Sequence, residues 1–217
     1  MVHLPLADTQ LDSMPRRRFL RVGLLTTAAC ALANAPLARP WLTMAHAVTS
    51  DAIHETLQGL LAFIVPGPDA YSHAQGVTTS DPGGVDANVA EVLIATLDLS
   101  APFLPSFSGV VAAILNDLAH QVHPALAGPF QAPFANLTYP EKVAVLQLMD
   151  ATEALQALGG ILPAFVAYLC YSDAGTFDPA TRTLTGTPVG WSLARYSGVS
   201  DGRDELQGYF HNRRHAD

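Results

Sequence analysis

Ser106-Phe107-Ser108-Gly109-Val110-Val111-Ala112-Ala113-Ile114-Leu115-Asn116-Asp117-Leu118-Ala119-His120-Gln121-Val122 decides the fold class. Val110, Val111, Ile114, Leu115, Leu118 and Val122 recur at spacings of three and four, which places them along one stripe of an α-helix. Ser106 or Ser108 offers an N-cap hydroxyl, and Pro124 closes the segment. A striped helix must bury its apolar side against something, and the flanking sequence supplies further helices rather than strands.

Upstream, Ser50 reads as an N-cap with Asp51 in the first turn, and Ile53, Leu57, Leu60, Leu61 and Ile64 share a face until Pro66-Gly67-Pro68. Residues 69 to 84 carry Tyr71, His73, the hydroxyl run Thr78-Thr79-Ser80 and the turn Asp81-Pro82-Gly83-Gly84 without periodicity, which predicts a long loop. Val85, Val89, Val92, Leu93, Thr96 and Leu97 predict a second helix, closed by Pro102 and Pro105. Downstream, Pro124 to Leu137 reads as extended chain pinned by Phe130 and Phe134. Thr138-Tyr139-Pro140-Glu141 forms a capping box. The helix it opens turns Val143, Leu146, Met149 and Leu155 inward and stops at Gly159-Gly160. Pro163 sits near the start of a fifth helix ending around Tyr171. The remainder is turn-rich, with a short hairpin near Thr181 to Thr185. The expectation is an all-α domain, about five amphipathic helices in a bundle with an irregular C-terminal arm.

The N-terminus has a different character. Arg16-Arg17-Arg18-Phe19-Leu20-Arg21 matches a twin-arginine (Tat) export address, in which the recognised residues are Arg16, Arg17, Phe19 and Leu20. Val22 to Leu37 is apolar and small, as the core of such a signal is. Two small-x-small sites follow. Ala33-Asn34-Ala35 precedes Pro36, a poor residue after a scissile bond, so Ala45-His46-Ala47 is the favoured processing site. Residues 1–47 are thus read as signal and 48–217 as a single exported domain, on the periplasmic or outer side of the cytoplasmic membrane. The competing reading makes Thr27-Ala28-Ala29-Cys30 a lipobox with Cys30 lipidated.

Export changes the charge balance. Five of the 11 basic residues but only two of the 19 acidic ones lie in residues 1–47, leaving 6 against 17 and a net charge near −11. Such a surface repels phosphate backbones and anionic headgroups, so nucleic acid is excluded as a partner. No stretch after Val48 offers eighteen uninterrupted apolar residues, so no stable membrane span is expected in the mature chain. Cys170 is then the one cysteine left, a buried small residue or a bridge to a partner chain.

No pattern for catalysis emerges. His120 and His123 share a helix face without a third ligand, and histidines at a helix C-terminus also ease its dipole. Asp150 and Glu153 read as a solvated face. Asp173 to Asp178 lacks the alternating ligands of a calcium loop. The glycines lack the strand-turn-helix setting of a phosphate loop, and no serine lies in a nucleophile elbow. Asn136-Leu137-Thr138 is a formal glycosylation sequon.

Phe134-Ala135-Asn136-Leu137-Thr138-Tyr139-Pro140-Glu141-Lys142-Val143-Ala144-Val145-Leu146 and Val189-Gly190-Trp191-Ser192-Leu193-Ala194-Arg195-Tyr196-Ser197-Gly198 together resemble the gluconate dehydrogenase small-subunit (subunit 3) family. Where that family commonly ends in Tyr-Pro-Gly this chain has Tyr196-Ser197-Gly198, and the family's Gly-Gly-Asn run before the Trp is missing. The resemblance implies a helical accessory subunit that is not itself catalytic and carries no cofactor. It would escort a large flavoprotein dehydrogenase of the glucose-methanol-choline type, the partner holding the FAD. A cytochrome subunit is a further candidate partner, and the twin-arginine translocase a transient one. On this reading Phe177, Trp191, Tyr196 and Tyr209 are candidate interface anchors, because loop aromatics give large contact area at low entropic cost. The alternative is a free-standing secreted binding protein whose loop from Asp69 to Gly84 borders a ligand cleft. A small hydrolase or metal enzyme built on His120 and His123 is a third possibility.

Overall fold

The computed structural model describes residues 25–33, 35, 39–104, 106–178 and 180–196. Arg16, Arg17, Phe19, Leu20 and Tyr209 lie outside the described residues. The chain is mostly helical, with a single two-stranded hairpin among the described residues. Five helices of eleven residues or more correspond to the five predicted: α3 (Ser50–Ile64), α5 (Ala90–Ser100), α6 (Phe107–Val122), α8 (Tyr139–Ala151) and α9 (Gln156–Cys170). Shorter helical pieces were not anticipated: α1 (residues 25–33), α2 (Arg39–Met44) with a 3-10 turn at Ala45–Ala47, α4 (Ala70–Ala74), α7 (Pro133–Asn136) and α10 (Val189–Leu193).

The opening stretch becomes the centre of the molecule. Every residue from Phe107 to Leu115 is buried, so the first half of α6 is enclosed on all sides rather than along one stripe. It packs against α3, α5, α7 and α8, and α3 also meets α5, α7 and α9. The Ser106 hydroxyl accepts the Gly109 N–H at 2.9 Å and is the cap. Ser108 instead gives its N–H and hydroxyl to the Asp98 carboxylate at 2.8 and 3.1 Å, locking the corner between α5 and α6. Thr49, not Ser50, caps α3, its hydroxyl accepting the Ala52 N–H. Gly59 lets α3 and α7 cross closely, since a Cβ there would lie 2.9 Å from the Ala135 Cα. Between them Asn116 bridges the Thr56 hydroxyl and the Phe134 N–H.

Four expectations about these helices need correction. Helix α5 starts at Ala90 rather than near Val85, because Asn88 takes a positive φ of 51° and a helix cannot run through it. Helix α8 ends at Ala151, with Thr152 as its C-cap, and Gly159-Gly160 lies inside α9 instead of stopping α8. Pro163 is likewise in the middle of α9, where it withholds the N–H that Gly159 would otherwise accept. The buried face of α8 is Lys142, Val145 and Met149, while Val143 and Leu146 are only partly covered.

The loop predicted from Asp69 to Gly84 is folded tightly onto the body. Asp69 caps α4, accepting the Tyr71 and Ser72 N–H groups and the Ser72 hydroxyl. The Ser72 hydroxyl accepts the Gly67 N–H. Gly84 N–H donates to the Val65 carbonyl at 2.7 Å, and Tyr71 stacks on Phe130 with centroids 4.2 Å apart. The backbones at Gly67 and Gly83 approach so closely that a Cβ on Gly67 would sit 2.6 Å from the Gly83 nitrogen. Gly67→Ala should therefore cost about 1–3 kcal/mol. Gly160→Ala, on α9 with open space around it, should instead gain about 0.5–1 kcal/mol. Urea midpoints of the two variants check both signs.

Candidate partner interface

The candidate surface is built on the end of α9. Helix α9 is apolar on nearly every side until Tyr168, Tyr171 and the turn after it bring aromatics outward. Ser172 ends the helix by donating its hydroxyl to the Leu169 carbonyl at 2.8 Å. The N–H groups of Thr176 and Phe177 both donate to the Asp173 carbonyl, turning the chain into β1 (Phe177–Asp178). That strand pairs antiparallel with β2 (Thr183–Leu184), Phe177 opposite Leu184 and Asp178 opposite Thr183.

Asp178 organises the hairpin loop. Its carboxylate accepts the Ala180 N–H and the Thr181 hydroxyl, each at 2.8 Å, and the hydroxyl bond from Thr181 holds its pKa below the usual carboxylate value. The acidic turn that could be mistaken for a calcium loop thus satisfies its own carboxylate. After the hairpin, α10 lies against the Tyr171 backbone, where Gly190 leaves no room for a side chain. Val189 and Leu193 pack against the core. The Tyr196 N–H donates to the Trp191 carbonyl at 2.7 Å, and the two rings meet edge to face at 5.2 Å.

The predicted anchors separate into two groups. Phe177 and Tyr196 remain 42% and 48% exposed, and Leu184 in the hairpin and Tyr168 and Tyr171 at the end of α9 are exposed as well. Trp191 is half-buried and covered in part by Tyr196, so it supports the surface more than it presents itself. The contribution of Tyr168, Tyr171 and Leu184 was missed. Their signal is the aromatic pair at i and i+3 on the last turn of α9, continued by the strand opposite Phe177.

Of the residues considered for chemistry, His123 and Asn136 have structural partners. His123 closes α6, and its Nδ1 lies 2.8 Å from the Glu141 Oε1. The other Glu141 oxygen accepts the N–H and hydroxyl of Thr138, and these bonds hold the carboxyl below its ordinary pKa. His120 stands exposed one turn earlier. Among the described residues no group of three or more His, Cys, Asp and Glu is placed to hold a metal ion. The Asn136 amide of the sequon donates to the Phe130 and Ala132 carbonyls. Cys170 is fully buried, and burial pushes its thiol up to about 12. It is therefore a packed core residue, and the bridge to a partner chain has no accessible thiol.

One buried group was not foreseen. Lys142 is fully enclosed, its Nζ donating to the Gly59 carbonyl and the Gln75 Oε1, both at 2.9 Å, with the Phe134 ring below it. Gln75 in turn donates to the Ala62 carbonyl. Burial drives the Lys142 pKa down to about 7, against a small opposing pull from Asp69. The group ties α8 to α3 and α4 from inside.

No protein-family model, curated protein or solved structure matches the chain. Among the described residues no helix is long and apolar enough to cross a membrane.

Proposed function

We propose that this chain is an exported, non-catalytic accessory subunit that binds, stabilises and co-exports a large flavoprotein dehydrogenase of the glucose-methanol-choline type. The observation that carries the reading is the set of exposed aromatic and apolar side chains from the end of α9 onward, Tyr168, Tyr171, Phe177, Leu184 and Tyr196, in a chain with a twin-arginine address. Large amphipathic rings held on an ordered arm cost little entropy to bury and are enriched at protein interfaces. A folded-export address suits a domain that leaves the cytoplasm already assembled with its companion.

The free-standing alternative required a cleft beside the segment from Asp69 to Gly84. That segment is bonded to the chain before it through Ser72 to Gly67, Thr79 to Pro66 and Gly84 to Val65, and a ligand titration of the isolated chain tests this alternative. The arm itself offers the direct test. Phe177→Ser with Tyr196→Ser removes two exposed rings and should leave the thermal midpoint nearly unchanged, while weakening capture of the flavoprotein by about tenfold or more. Equal capture by the variant and the parent would remove the arm from the interface.

A further inference from the structure

Charge is divided unevenly along the domain. Residues 48–178 carry 13 acidic residues and one basic residue, Lys142, which is buried. Residues 179–196 carry Arg182 and Arg195 and no acidic residue. Both arginines are exposed, Arg182 in the turn between β1 and β2 and Arg195 just after α10. The ion pairs among the described residues are His54 with Glu91 and His123 with Glu141, and neither takes up an arginine. Asp178, the carboxylate nearest to Arg182 in sequence, is committed to the Ala180 N–H and the Thr181 hydroxyl.

Both arginines hold backbone positions that favour glycine. Arg195 has a φ of 52° directly after the C-cap of α10, where its N–H donates to the Ser192 carbonyl and the Tyr196 N–H donates to the Trp191 carbonyl. That pair of bonds is a Schellman ending, whose left-handed residue is usually glycine. Arg182 has a φ of 56° at the close of a hairpin turn, again a place where glycine is less strained. The third non-glycine residue with positive φ among the described residues is Asn88, a residue type that tolerates it. A long charged side chain kept twice where glycine fits better points to a use for that side chain. Exposed apolar groups adjoin both. Tyr196 follows Arg195, and Phe177 faces Leu184 across the hairpin that Arg182 closes.

We infer that the C-terminal arm is a cationic docking element whose two arginines pair with carboxylates on an acidic face of the flavoprotein partner. The inference rests on the accessory-subunit reading and adds the charge of the surface that the partner presents. An arginine holds a carboxylate through two parallel N–H bonds, and arginine and tyrosine are both enriched at the energetic centres of interfaces. An acidic patch on a protein suits this arm better than a polyanion does. A nucleic acid or an anionic membrane extends past the arm and meets the acidic body, whereas repulsion from that body fades over about 8 Å at physiological salt and spares a local patch.

Co-purification of the full chain from its native host tests this. Arg182→Gly with Arg195→Gly should lower the flavoprotein recovered by about tenfold or more, at a melting temperature no lower than the parent's because glycine suits both backbones. Arg182→Lys with Arg195→Lys keeps the charge and should restore most of the capture. Raising salt from about 50 mM to about 500 mM should weaken capture by the parent about tenfold and affect the glycine variant far less. Equal capture by parent and glycine variant, or capture by the parent that ignores salt, overturns the charged contact and leaves the accessory role standing. Binding of the parent to duplex DNA or to phosphatidylglycerol vesicles, lost in the glycine variant, overturns the choice of a protein surface. A salt-sensitive dimer of the purified parent in light scattering, lost in the same variant, overturns the named partner in favour of a second copy. Absence of any flavoprotein from the parent preparation is the failure of the accessory reading, and the named partner fails with it.

Discussion

Replacing Arg16 and Arg17 together with lysine is expected to leave both this chain and the flavoprotein partner proposed for it in the cytoplasm. The twin-arginine receptor reads two guanidinium groups, whose planar fork of donors a lysine ammonium does not reproduce. Charge is preserved in the substitution, so a loss of export reports recognition rather than net charge. The partner's location is the informative readout. Retention of this chain alone, with the flavoprotein still exported, would show that the two travel independently. Fractionation followed by dehydrogenase activity in the exported and cytoplasmic pools measures both.

Lys142→Ala should destabilise the domain by about 3 kcal/mol or more, through the cavity it leaves and the loss of a donor to the Gln75 oxygen. Lys142→Met keeps most of the volume and separates the contribution of charge. With a folded pKa of about 7 against an ordinary 10.5, the native state holds fewer protons on this group than the unfolded chain between those values. Stability must then rise with pH across that window, at up to about 1.4 kcal/mol per pH unit. Below about pH 7 the ammonium is charged in both states and its burial cost is fully present. Above 10.5 it is neutral in both and the cost is gone. The stability of the parent relative to Lys142→Met should therefore increase from pH 7 to pH 10, as urea unfolding will show. A pH-independent difference would mean that the buried amine does not titrate there.

Which parts of this arrangement were readable in the sequence follows from how local their causes are. Helix α6 was legible because its cap, stripe and terminating proline all lie within Ser106 to Pro124. The capped start of α8 was legible for the same reason. Its inward face was not, since periodicity assigns a lysine to solvent, and only α3 and α4 folding over Lys142 supply the two carbonyl oxygens that enclose it. Gly159-Gly160 looked like a stop, but Gly159 faces Asp150, which a Cβ would approach to 3.0 Å. The break came instead at Thr152, whose carbonyl accepts the Leu155 and Gln156 N–H groups.

The candidate interface was half legible. Phe177 and Tyr196 stood out as loop aromatics, whereas Tyr168 and Tyr171 looked like part of a helix end, and only the structure shows their rings exposed and α10 set against the Tyr171 backbone. The bonds from Thr26 to Ser100 and from Trp41 to Asp117 span more than seventy residues. Nothing local announces them, and the sequence of residues 25–47 taken alone describes a signal.

Native-host purification of this chain, with the bound flavin spectrum of whatever accompanies it, tests the central claim most directly. The expected result is a stoichiometric flavoprotein that has no export signal of its own and holds all the flavin. Recovery of the chain unaccompanied from its compartment, or turnover of a substrate by the chain alone, would contradict the account.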